Sequence, residues 1–150
     1  MKKLFFVLML CPLLMLTMPS CSGSTGSTNS GTDKTKMELL DKEIDLSNHQ
    51  MPMQVDFATT LMSLKRQSMT VSYQYVVDED AIDMDEVIAN QRPFKTTLEN
   101  QITTVKEAKY FASMVADAGC DLHFVYDGNH SAKNVTIEFT NAELKSILKK

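Results

Sequence analysis

The sequence is poor in the residues that mark repetitive or fibrous proteins. Its 150 residues include no tryptophan, five glycines and four prolines. Collagen-like chains need glycine at every third position, and repeat arrays show a period of about 20–50 residues; this sequence shows neither pattern. With 43% hydrophobic and 23% charged residues, the composition is typical of one globular domain with accessory segments.

Basic residues are also scarce. The chain has 15 lysines and arginines against 19 aspartates and glutamates, and its formal net charge is −4. Lys2 and Lys3 lie in a segment that we expect to be removed, and the remaining 13 basic and 19 acidic residues give a net charge of −6. Because nucleic-acid binding depends on clustered lysine and arginine, the sequence predicts no nucleic-acid partner.

Motifs of the common enzyme classes are missing as well. The sequence contains no G-x-S-x-G nucleophile elbow, no phosphate-binding loop and no dinucleotide-binding glycine pattern. We therefore expect a protein that is not an enzyme and that holds no cofactor. A small hydrolase remains an alternative, because carboxylates that converge only in space leave no mark in the spacing.

The N-terminus has the three parts of an export signal. Lys2 and Lys3 supply a positive end, residues 4–16 supply an apolar stretch, and residues 17–20 lead into small residues. The apolar stretch is shorter than the ~20 residues that a membrane-spanning helix needs. We therefore predict that residues 1–20 form a cleaved signal peptide.

A cysteine, Cys21, follows this segment directly. The tetrad Met18-Pro19-Ser20-Cys21 resembles the lipobox of bacterial lipoproteins, with the small residue Ser20 before the cysteine. It is similar to the looser form of the Bacteroides group, since Met18 and Pro19 stand where leucine and a small residue are usual. The resemblance implies that diacylglycerol modifies the Cys21 thiol and that a signal peptidase cuts before it. Cys21 is the predicted lipidation site.

The two other cysteines have no chemical role in this interpretation. Cys11 leaves with the signal peptide. Cys120 lies beside Asp121 and near Asp117, whose charges disfavour a thiolate, so we expect a buried thiol and not a nucleophile. The alternative, in which Cys21 carries no lipid, allows a disulfide between Cys21 and Cys120 in an oxidising compartment.

The residues after Cys21 fit a membrane anchor. Residues 22–32 are all glycine, serine, threonine or asparagine, a composition typical of a flexible linker. We predict a tether over residues 21–35 and one domain over residues 36–150. The lack of acidic residues directly after Cys21 resembles periplasm-facing lipoproteins, which implies an outer-membrane location facing the periplasm. The layout of the whole chain is similar to that of small lipoproteins from Bacteroides-type genomes.

Hydrophobic spacing predicts the elements of the domain. Alternation predicts strands over residues 57–64, 69–77, 122–126 and 135–139, and helical spacing predicts helices over residues 37–46, 83–102, 108–115 and 141–148. Pro93 is expected to kink or split the second helix, and residues 65–68 are expected to form the first hairpin turn.

This order, α-ββ-αα-ββ-α, predicts an α+β fold. We expect an antiparallel four-stranded sheet made of two hairpins, with the helices packed on one of its faces. Four aromatic residues lie on the predicted strands, and we expect them in the core, with a contact surface as the alternative. They are Tyr73, Tyr75, Phe124 and Tyr126.

Three groups of residues resemble metal sites. His49, Met51 and Met53 combine imidazole and thioether ligands that suit Cu(I). The acidic residues over 78–86 offer oxygen ligands for Ca²⁺ but lack the Asp-x-Asp-x-Asp-Gly loop. His123 and His130 flank Asp127 and resemble a zinc pair. In each case we favour a structural role, so no metal site is predicted.

The sequence therefore predicts a lipid-anchored envelope protein that acts as a non-catalytic binding module. Its expected partners are the membrane, through the lipid on Cys21, and an envelope protein or a cell-wall component. The main alternative is a periplasmic copper carrier that uses His49, Met51 and Met53.

Overall fold

The computed structural model describes residues 29–149, with side chains from residue 33 onward. Within this part the chain forms five helices and five strands. They are α1 (Asn29–Asn48), β1 (Met53–Gln54), β2 (Thr59–Gln67), β3 (Thr70–Val77), α2 (Met84–Ala89), α3 (Gln91–Thr104), α4 (Lys106–Asp117), β4 (Asp121–Gly128), β5 (Asn134–Phe139) and α5 (Asn141–Ile147). None of the helices between residues 29 and 149 is both long enough and apolar enough to cross a membrane.

The strands form one mixed sheet in the order β1-β2-β3-β4-β5. The central pair, β3 and β4, is parallel, and the other three pairs are antiparallel. The predicted antiparallel four-stranded sheet is therefore wrong. Helices α2, α3 and α4 return the chain to the end of the sheet where β3 begins, and Asp121 consequently pairs with Thr70. Such a long crossover is what a parallel pair requires.

The helical order also differs from the prediction, because three helices and not two connect β3 to β4. The break falls at Asn90, between α2 and α3, and not at Pro93. Pro93 lies in the first turn of α3, where backbone N–H groups have no partner within the helix, so its missing N–H costs little. Asp83 caps α2 by accepting a hydrogen bond from the backbone N–H of Asp85.

The turn between β2 and β3 lies at Ser68 and Met69, since Gln67 pairs with Thr70. Residues 65–67, predicted as turn, belong to β2. Arg66 faces the helical layer and forms an ion pair with Asp41 of α1, at 2.5 Å from Nε to Oδ1. The charge of Arg66 made residues 65–67 resemble a turn. In the structure the ion pair with Asp41 of α1 accommodates this charge within strand β2.

One face of the sheet packs against the helices and forms the core. Buried and less buried positions alternate along β3, β4 and β5, and the buried side chains join those of the helices in one cluster. The opposite face carries Ser72, Gln74, His123 and Glu138, of which none is fully buried. None of the described helices covers this second face.

Helix α1 closes the edge of β2 beyond the two residues of β1. The side-chain amide of Asn48 donates to the carbonyl oxygen of Leu64 and accepts from its backbone N–H, both at 2.8 Å. The Asn48 side chain thus makes the two hydrogen bonds with the Leu64 backbone that a neighbouring strand would otherwise make. Helix α1 begins at Asn29, so part of the segment predicted as a tether is helical; the division into tether and domain remains a prediction.

Helix α5 begins with a capping box. The Thr140 side chain accepts from the backbone N–H of Glu143, and the Glu143 carboxylate accepts from the backbone N–H of Thr140 at 2.8 Å. Lys95 of α3 also binds this carboxylate at 2.9 Å. The Thr140 backbone hydrogen bond and the Lys95 ammonium lower the pKa of Glu143 from 4.5 to about 2.

Replacing Asn48 with alanine should lower the free energy of unfolding by about 1–3 kcal/mol, because the backbone groups of Leu64 lose their partners in a partly buried place. Chemical denaturation measures the change. Asn134→Ala, at an exposed position of β5, is the matched control and should have a smaller effect. Equal effects in both variants would contradict the role of Asn48 at the strand edge.

Glu143 should titrate with a pKa of about 2 in the folded protein, as measured by NMR. Because its folded pKa lies below its ordinary value, Glu143 stabilises the fold at pH above about 4.5, and this contribution is lost as the pH falls toward about 2. The difference in stability between the natural protein and Glu143→Gln should shrink over the same range. An unshifted pKa would refute the capping box.

Candidate functional site

An apolar groove opens between the C-terminal end of α1, strand β1 and the junction of α3 with α4. Its empty space, including the solvent-filled mouth, is about 530 Å³. Nine of the side chains that line it are apolar, and the other two are Ser47 and Glu107. The apolar nine are Met51, Met53, Val55, Leu61, Leu64, Tyr73, Val105, Ala108 and Phe111.

The floor of the groove is aromatic. The ring of Tyr73 meets the ring of Phe111 edge-on at 5.6 Å and stacks on Phe124 at 5.1 Å. Burial raises the pKa of Tyr73, and the negative charge of Glu43 raises it further. The phenol therefore stays neutral at physiological pH, and the floor offers an uncharged surface to a ligand.

One wall of the groove is built from methionines. Met51 and Met53 flank the start of β1, and both are half-buried. Thioether side chains are unbranched and adaptable, so they can pack against partner side chains of different shape. The groove can thus hold apolar segments whose side chains differ in shape.

The three residues of the copper alternative do not all line the groove. Met51 and Met53 line the groove, but His49 does not. His49 is exposed, and its Nδ1 lies 2.7 Å from the carbonyl oxygen of Asp45 on α1. The imidazole of the copper interpretation is therefore not among the side chains that line the groove.

The two histidines of the zinc alternative lie in different parts of the fold. His123 lies on the uncovered sheet face, opposite Ser72 and Glu138 in the strand register. His130 lies in the loop after β4, within 4.8 Å of carboxylate oxygens of Asp78 and Asp80. All three of these clustered residues are exposed.

The acidic run predicted as a calcium alternative is used for local structure. Asp83 caps α2, and Asp85 forms an ion pair with Lys133 at 2.7 Å. The carboxylate of Glu79 accepts from the backbone N–H groups of His130 and Ser131 at 2.7 and 2.6 Å. These contacts tie the loop before α2 to the loop after β4, as the structural interpretation expects.

The groove has little of what a hydrolase needs. Among the described lining residues Glu107 is the one charged side chain, and the hydroxyl of Ser47, the other polar group, donates to the carbonyl oxygen of Glu43 at 2.9 Å. Cys120 is fully buried, its sulfur lies 3.9 Å from the Met37 sulfur, and burial raises the pKa of its thiol. The burial of this thiol agrees with the expectation from sequence.

Some predicted residues lie outside the described part of the chain. The predicted lipidation site, Cys21, and the signal peptide over residues 1–20 precede residue 29. Conversely, sequence reasoning missed Val105 and Glu107, which reach the groove from the junction of α3 with α4. Glu107 lies in the first turn of α4, where an acidic residue is favourable in any helix, so its position gave no signal of a groove.

The comparisons with known proteins concern the fold. No family model and no curated protein matches the chain. Three solved structures resemble it, each at low sequence identity. A Pseudomonas aeruginosa protein assigned as secreted matches at TM-score 0.60 and 11% identity, over 79% of this chain and 99% of its own.

The other two structures are pilotins of type 2 (type II) secretion systems. The pilotin EpsS from Vibrio vulnificus matches at TM-score 0.54 and 9% identity, over 77% of this chain and 97% of its own. The pilotin AspS from Vibrio cholerae matches at TM-score 0.52 and 11% identity, over 76% of this chain and 96% of its own. The chain therefore shares the fold of these proteins.

Proposed function

We propose that this protein is an envelope lipoprotein whose groove binds an apolar segment of another envelope protein. The observation that carries the proposal is the groove itself, an apolar surface with an uncharged aromatic floor and adaptable methionines. A concave surface lined mainly by apolar and aromatic side chains is the usual place for a ligand or a partner to bind. The low charge of the lining favours binding over catalysis.

The shared fold supports the same function. Two of the similar structures are pilotins, which are accessory proteins of secretion systems. We propose a comparable accessory role here, in which the domain escorts or holds an envelope component by one of its segments. We propose a polypeptide segment as the occupant, because the lining combines an aromatic floor with adaptable methionines.

We further propose that residues 1–20 are cleaved and that Cys21 carries the lipid, which places the domain at the outer membrane, facing the periplasm. The lipobox-like tetrad over residues 18–21 and the polar residues after it support this anchor. Only residues 21–28 separate the anchor from helix α1. Extended at about 3.5 Å per residue, this segment keeps the start of α1 within about 30 Å of the lipid.

A photo-crosslinking residue at Val105 should capture one envelope protein in intact cells, identified by mass spectrometry. Val105 lines the groove, whereas Glu138 lies on the uncovered sheet face, so the same residue at position 138 is the matched control. Met53→Glu should reduce the capture about tenfold or more, because an unpaired charge would enter an apolar contact.

Both crosslinking variants and Met53→Glu must keep the native circular dichroism spectrum. Met53→Lys, with the opposite charge, serves as a second groove variant and should also reduce capture. Equal capture from positions 105 and 138, or capture that is unchanged in both groove variants, would refute the groove as the binding site.

Replacing Cys21 with serine should abolish acylation and leave the protein unprocessed or soluble. Membrane fractionation and intact mass of the mature product measure this. Cys120→Ser removes a buried thiol far along the chain and should keep the lipid. An unmodified thiol at Cys21 in the natural protein, or a mature chain that begins at another residue, would overturn the anchor.

A further inference from the structure

The mouth of the groove carries negative charge without a positive charge in its lining. Glu107, in the first turn of α4, is the one charged side chain among the lining residues, and it is exposed. It neighbours Val105 and Ala108, which form the same wall. A ligand that enters the groove therefore passes one carboxylate at its edge.

The last turn of α1 adds to this negative field. Ser47 of this turn lines the groove, and the turn contains no basic residue. A helix C-terminus carries a partial charge of about −0.5 from its aligned peptide dipoles. Glu43, one turn earlier, is close enough to the groove floor for its charge to act on the Tyr73 phenol.

None of the described residues that line the groove is a lysine or an arginine. Lys42, Lys106 and Lys109 lie on α1 and α4, but they are exposed and do not line the groove. Arg66 is paired with Asp41. An apolar floor with an acidic rim is complementary to an apolar segment that has a cation beside it.

We propose that the groove selects an apolar segment flanked by lysine or arginine, with Glu107 and the end of α1 as the elements that recognise the cation. This inference rests on the proposed function and specifies the partner that the groove binds. Charges at an exposed rim contribute mainly to selectivity and to the rate of association, while the apolar floor supplies most of the affinity.

Two synthetic peptides with the same leucine-rich core test the inference, one flanked by lysines and one by glutamates. Titration against the folded domain at low salt should show tighter binding of the lysine-flanked peptide, by about 1.5- to 5-fold for each charge that meets the rim. The preference should weaken at about 1 M salt, where the Debye length is near 3 Å.

Changing the rim should change the preference. Glu107→Gln should reduce it, and Glu107→Lys should shift it toward the glutamate-flanked peptide. Glu138→Gln, on the uncovered sheet face, removes the same charge from the domain as a whole and should leave the preference unchanged. This control separates a local effect at the groove from the effect of net charge.

The outcomes distinguish the two proposals. Equal binding of both peptides, or a preference that Glu107→Lys does not alter, overturns the inference about the cation and leaves the groove as an apolar binding site. If neither peptide binds the folded domain and Met53→Glu does not reduce the crosslinking capture from position 105, the proposed function itself fails.

Discussion

The parallel pairing of β3 with β4 is the constraint on which the rest of the structure depends. In this register each ring on β3 stacks on the ring beside it on β4, Tyr73 on Phe124 at 5.1 Å and Tyr75 on Tyr126 at 4.6 Å. Helices contact this aromatic row edge-on, with Phe111 of α4 against Tyr73 and Phe94 of α3 against Tyr126. The floor of the groove is one end of this row, so the groove and the core share the same aromatic residues.

Local patterns predicted most of the elements of this fold. The alternation over residues 69–77, 122–126 and 135–139 corresponds to β3, β4 and β5, and the apolar spacing of residues 108–115 corresponds to α4. Alternation shows that a strand has one buried face, but it does not indicate whether the neighbouring strand runs parallel or antiparallel to it. That direction follows from the path of the helices between β3 and β4, which is a property of the whole chain. Strand β1, with two residues, is too short to produce a pattern.

The candidate site was only partly visible in the sequence. Their spacing made Met51 and Met53 candidate metal ligands, and the structure shows that both line an apolar groove. Tyr73 was expected in the core, and it lies both against the core and at the groove floor. The remaining wall comes from Val105 and Glu107, more than fifty positions from Met51 in the chain. Convergence of this kind depends on packing between α1 and α4, which no local spacing encodes.

The central parallel pair also sets the order in which the sheet can be completed. Strands β2 and β3 form from neighbouring residues, but β4 is synthesised only after residues 78–120. Until then, one edge of β3 is unpaired, and an unpaired strand edge is a template for pairing with another chain. The residues of β3 and β4 that pair along this edge are far apart in the sequence. Their pairing therefore forms slowly compared with the β2–β3 hairpin. A chain truncated within α4 lacks β4 and would therefore leave this edge of β3 without its partner strand.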